Sequence, residues 1–173
     1  MKKTILLVSL ALVSWGAFAQ HNHSHDEDAV RKNSTEAMAP MFKDKNLGIA
    51  YEKYINLKNA LVASDVMKAK NISAELLYSL QEVKKSEKAY SASKSLAKAV
   101  TLEDHRREFS ILSKEMAVLV KSNKLSMGAV YLEFCPMAND NKGGYWLSNE
   151  SVIENPYFGD KMLNCGSVKE TIN

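Results

Sequence analysis

The chain has 173 residues, 46% of them hydrophobic, with 23 Lys or Arg against 20 Asp or Glu. That length suits one domain with a real core. The near balance of charge gives no electrostatic case for nucleic acid or an anionic membrane surface, the more so because Lys2 and Lys3 fall in a segment expected to be removed.

The first nineteen residues have the three parts of a secretory signal: Lys2 and Lys3, the apolar run from Ile5 to Val13, and Ala17-Phe18-Ala19 as a small-x-small cleavage pattern. Cleavage after Ala19 is expected, leaving a mature chain that works outside the cytoplasm. The apolar run is shorter than the ~20 residues of a spanning helix. No Cys follows the cleavage site to carry a lipid, and no later stretch is apolar enough to span a membrane. Residues 20–45 are polar, lack a sustained apolar period and contain Pro40, so they read as a disordered leader. His21, His23 and His25 alternate there ahead of Asp26, Glu27 and Asp28, a weak metal-binding pattern whose ordering on an ion costs chain entropy.

Residues 46–173 are expected to form one mainly α domain, a bundle of about four helices with a small C-terminal β/loop cap (α+β). Leu47, Tyr51, Tyr54, Ile55, Leu61 and Val62 recur at helical spacing. Ser64 and Asp65 offer a cap for a second helix, whose stripe runs from Val66 through Leu76 and Leu80 to Val83. Lys84 to Lys88 read as a connection and Tyr90 to Val100 as a weaker third helix. Thr101 and Asp104 have capping-box spacing ahead of a fourth stripe of His105, Phe109, Leu112, Met116 and Leu119. Beyond it, Ala129 to Phe134 reads as a strand, residues 139–144 (Asn-Asp-Asn-Lys-Gly-Gly) as a turn, Tyr145 to Leu147 as a returning strand, and Ser167 to Ile172 as a final one.

The chemistry concentrates in this cap. Cys135-Pro136-Met137 closes the first strand, and Met162-Leu163-Asn164-Cys165 follows about thirty residues later. Thiolate and thioether sulfurs are soft donors that favour Cu(I), so Cys135, Met137, Met162 and Cys165 are candidate ligands of one ion. In an exported protein the ordinary fate of two cysteines is a disulfide, which would stabilise the fold by roughly 3–4 kcal/mol. Spacing leaves both open. His105 lies on the apolar stripe of the fourth helix, where a lone His is usually a packed residue with one hydrogen bond; as neutral imidazole it is also a further candidate ligand. The chain has no glycine-rich phosphate loop, no His-Glu-x-x-His and no Gly-x-Ser-x-Gly, and no enzymatic activity is expected.

Several ordered blocks carry a family resemblance: Tyr51-x-x-Tyr54 with Leu57-Lys58-x-Ala60-Leu61-Val62; Arg106-Arg107-x-Phe109-x-x-Leu112-Ser113-x-x-Met116; Phe134-Cys135-Pro136-Met137-Ala138; Gly144-Tyr145-Trp146-Leu147-Ser148; Asn155-Pro156-Tyr157-Phe158-Gly159; and Met162-Leu163-x-Cys165-Gly166. Residues about 48 to 173 resemble an uncharacterised domain of exported Bacteroidetes-type proteins, also found at the C-terminus of some periplasmic adaptors of copper/silver efflux pumps. Cys135-Pro136-Met137 is also similar to the core of short heavy-metal-binding modules. Those usually continue with His-Pro, where this chain has Ala138-Asn139. The resemblance implies a periplasmic location, handling of copper or a similar soft metal as chaperone, buffer or efflux accessory, and an efflux adaptor or other envelope protein as partner. The competing expectation is a non-enzymatic envelope interaction module held by a Cys135–Cys165 disulfide.

Overall fold

The structure, a computed structural model, describes residues 39–173. The expected signal at 1–19 and the histidines His21, His23 and His25 lie outside the described residues. Four long helices follow one another: α1 (Lys45–Val62), α2 (Val66–Gln81), α3 (Glu87–Leu96) and α4 (Leu102–Lys121). Two antiparallel sheets accompany them. One is a ribbon of β1 (Met41–Phe42) and β2 (Leu125–Met127); the other has β3 (Val130–Cys135) at its centre, flanked by β4 (Gly144–Ser148) and β5 (Ser167–Ile172). A helical bundle with a C-terminal β cap is therefore the fold, as the periodicity predicts.

Local chemistry sets most boundaries. α1 starts where the Asp44 carboxylate accepts hydrogen bonds from the amides of Asn46 (2.9 Å) and Leu47 (3.3 Å), satisfying donors that the helix cannot. Asp65 does the same for Lys68 at the head of α2. At α4 the capping box is complete: the Thr101 hydroxyl accepts from the Asp104 amide at 3.0 Å while the Asp104 carboxylate accepts from the Thr101 amide. α3 begins at Glu87, three residues before the expected Tyr90, because Ser86 closes the α2–α3 link. Its hydroxyl lies 2.7 Å from the carbonyls of both Leu80 and Val83.

The expected leader ends earlier than residue 45. Met41 and Phe42 pair with Met127 and Leu125, and Phe42 is buried with its ring 5.0 Å from that of Tyr51. A two-residue strand has no period to read, and its partner lies more than eighty residues away.

In the cap, the turn at residues 139–144 is made as its composition suggests. Asn139, Asp140 and Asn141 take φ of 52°, 56° and 63°, the left-handed region that Asn and Asp tolerate best after glycine. Gly143 follows at φ 81°, where a side chain would also strike the Phe134 ring. The turn returns the chain so that Cys135 pairs with Gly144, Glu133 with Trp146 and Leu132 with Leu147.

Aromatic side chains join bundle to cap. Ring centroids step from Tyr51 to Tyr54 (6.2 Å), Phe109 (5.2 Å), Tyr157 (6.0 Å) and Trp146 (5.9 Å), spacings at which aromatic pairs attract. Tyr54, fully buried in α1, also lies 2.7 Å from the Ser113 hydroxyl of α4 and accepts the Leu147 amide of β4 at 3.0 Å. One hydroxyl thus ties three elements together. Tyr54→Phe keeps the ring but leaves the buried Leu147 N–H without its acceptor, a cost of about 1–3 kcal/mol. Urea denaturation should show that loss with an unchanged m-value.

Candidate metal centre

The two cysteines meet. Cys135, buried at the end of β3, and the half-buried Cys165, just before β5, have sulfurs 2.9 Å apart, and neither is in a disulfide. Pairing of β3 with β5 brings them together: Phe134 is the register partner of Ser167, so the residues preceding β5 arrive beside Cys135.

A residue of the Asn155-Pro156-Tyr157-Phe158-Gly159 block holds the second thiol in place. Asn155 is fully buried, and its amide nitrogen donates to the Cys165 carbonyl at 2.8 Å. Its side-chain oxygen accepts from the Tyr157 amide at 2.8 Å, and its backbone N–H donates to Leu163 at 2.8 Å. Asn155 therefore clamps both limbs of the loop that carries Met162 and Cys165. Gly166 completes the fit, since a Cβ there would lie 2.8 Å from the Trp146 ring.

The other candidate ligands are placed less closely. Met137 is 47% exposed and lines a surface cleft that neither cysteine borders. Met162 ends the 3-10 turn Gly159–Met162, and its carbonyl accepts the Cys165 amide at 3.0 Å; its side chain is half-buried. His105 is fully buried in the first turn of α4, with Nδ1 2.8 Å from the Thr101 carbonyl. That is the packed histidine with one hydrogen bond, although its Nε2 lacks a partner. Among the described residues no three His, Cys, Asp or Glu side chains gather into a metal-binding set, so His105 does not join the two thiols.

The Cys165 thiol resists ionisation. The hydrogen bond with Cys135, followed by partial burial and the neighbouring sulfur's charge, pushes the Cys165 thiol up to about 11. A thiol held in this way disfavours the thiolate form, and with it nucleophilic attack. Metal binding there must release a proton.

Beside this centre lies a buried carboxyl that the sequence pattern conceals. Glu133 is fully buried on β3, and neither of its oxygens has a hydrogen-bond partner among the described residues. Trp146 faces it across the ladder without closing a hydrogen bond from its indole N–H. Burial pushes Glu133 up to about 8, outweighing the attraction of Lys58 and of the Trp146 dipole, and the carboxylates of Glu154 and Glu150 add to the rise. Lys58 is itself buried in α1 and pairs with Glu154 at 3.1 Å.

A helical bundle whose cap brings two cysteines into contact is the class that fold and site define. Residues 50–128 match a family model described as Protein of unknown function (DUF3347). The matched span runs from α1 to just past β2, so Cys135 and Cys165 lie beyond it. Comparison with curated proteins and with solved structures gave no match.

Because its pKa is raised on folding, Glu133 contributes stability in full below the ordinary carboxyl value of 4.5, and that contribution is lost as pH rises through about 8. Glu133→Gln removes this titration. The variant should gain stability relative to the parent between pH 5 and 8.5, by on the order of a few kcal/mol. Parallel denaturation curves across that range test it; a difference that does not change with pH would contradict the assignment.

Proposed function

We propose that this chain is an exported, periplasmic soft-metal protein that takes Cu(I) as cargo at Cys135 and Cys165 and serves as a chaperone, buffer or efflux accessory. The observation that carries the reading is the convergence of two thiols thirty residues apart in sequence, one of them partly open to solvent. Soft sulfur donors select Cu(I) over hard cations. Cu(I) is content with two or three such donors. A closed zinc site wants four N or S ligands, and the described residues gather no such set. Met162, three residues from Cys165, and Met137, two residues from Cys135, are supplementary thioethers along the chain. The expected export signal and the family resemblance to copper/silver efflux adaptors support the same reading, and an efflux adaptor or other envelope protein is the partner it implies. His21, His23 and His25 would add a secondary Cu(II), Ni(II) or Zn(II) tract outside the described residues. No catalytic role is part of this proposal.

The thiol spacing favours a second reading as well. An ion held 2.3 Å from both sulfurs at their present separation would see them at an angle of roughly 80°, well short of tetrahedral or linear. Metal capture therefore requires the Cys165 side chain to swing outward, whereas closing to a disulfide requires a shift of less than about 1 Å. In that reading the domain is an envelope interaction module locked by a Cys135–Cys165 bond.

Anaerobic titration of the reduced protein with Cu(I) against a chromophoric competing chelator tests the proposal. A single tight Cu(I) site is expected, with proton release and an affinity that increases with pH, and Cys135→Ser should lose it. Unchanged stoichiometry and affinity in that variant would remove the site. Thiol counting on natively isolated protein separates the readings: a fully oxidised pair that resists mild reductant belongs to the interaction module.

A further inference from the structure

Beside the cap lies a surface cleft of about 810 Å³ between α4 and the loops that follow β3 and β4. Its lining carries five cationic side chains: Arg106, Arg107 and Lys114 on α4, and Lys142 and Lys161 on the opposite wall. Only Glu103 and Asp140 oppose them in the lining. Arg107 is partly neutralised by Asp104 at 2.7 Å and Glu108 at 3.5 Å. The other four have no carboxylate within 4.0 Å among the described residues.

Arg106 is the informative one. Its guanidinium is half-buried, and every hydrogen bond it makes goes to a neutral acceptor: the carbonyls of Pro156 (2.9 Å) and Leu61 (3.0 Å) and the hydroxyl of Ser64 (3.0 Å). These contacts fix its position and leave its charge uncompensated. A partly desolvated cation held in this way favours an incoming anion. The cations share the lining with apolar side chains. Ile111 is 50% exposed and Met137 47%, with the Phe158 ring half-buried beside them.

We propose that this cleft docks an acidic polypeptide segment of a partner protein, one that alternates carboxylates with apolar side chains. From Arg107 to Lys114, α4 rises about 10 Å, the length of about three residues of extended chain. An extended segment presents carboxylates to the cationic walls and apolar side chains to Ile111 and Met137 in alternation. A small anion would leave those apolar side chains uncovered, and a flat bilayer surface does not follow a concave floor. The docked segment would lie over Met137, two residues along the chain from Cys135, so the cleft provides a partner with an approach to the cap. The proposal does not depend on whether the thiols hold metal, and its test uses none.

Amide chemical shifts of the mature protein, titrated with a synthetic decapeptide alternating Glu and Leu, provide that test. Perturbations should be confined to residues 102–114, 137–143 and 156–161. Binding should weaken about tenfold or more from 50 to 300 mM salt and by a similar factor in the exposed charge-reversal variant Lys114→Glu/Lys142→Glu. The salt series needs no mutant and stands even if that variant fails to fold. Perturbations elsewhere or none at all, equal binding of a Lys/Leu decapeptide, salt-independent binding, or inorganic phosphate reproducing the same shifts at the same concentration would each overturn the proposal.

Discussion

Much of this molecule depends on the hydroxyl of Tyr54. Bundle and cap are built from different materials, one from apolar stripes that pack locally and the other from a ladder whose partners are distant in sequence. Apolar contact alone would leave their relative position loosely specified, because it is not directional. The Tyr54 hydroxyl adds direction: bonded to α4 and to the backbone of β4, it fixes where the sheet sits on the helices. Burial raises the Tyr54 pKa far above the ordinary phenol value, so the group remains a neutral donor and acceptor. The stacked Phe109 ring and the edge-on Trp146–Tyr157 pair then extend that alignment into the cap.

From this alignment follows the position of the dithiol. Among the described residues, β3 is the one strand of the cap with neighbours on both sides. β4 reaches it through a short left-handed turn, whereas β5 reaches it across a loop that encloses no regular element longer than four residues. Asn155 replaces the missing secondary structure by satisfying backbone groups on both limbs of that loop. The backbone around Cys165 is consequently anchored while its side chain stays half-open. Movement at the site is thus confined to a rotamer.

The bundle was legible in the sequence because helices announce themselves locally. The stripes of α1, α2 and α4 lie within single windows, and Asp44, Asp65 and Thr101 act on amides at most three residues away. The strands and turn of the cap were legible for the same reason. β1 was not, since its reason for being a strand is β2, far along the chain. The candidate site was half legible. Residue types singled out Cys135 and Cys165, but only the β3–β5 register brings them together, and spacing cannot express register. Nothing in the sequence signals that Glu133 and Lys58 are buried, because a charge on an amphipathic element reads as solvent-facing; their burial is imposed by packing of cap on bundle. Asn155 is legible in the sequence only as part of a block ahead of Pro156, and only the structure shows how many partners it serves.

The order of the strands has a consequence for timing. β5 (Ser167–Ile172) follows the four helices and the β3–β4 hairpin along the chain, so the strand that delivers Cys165 to Cys135 is made after the strand it pairs with. A growing chain can assemble the helices and the hairpin while its two sulfurs remain strangers. Whatever chemistry they perform together, bonding to each other or sharing an ion, waits until β5 has zipped onto the sheet.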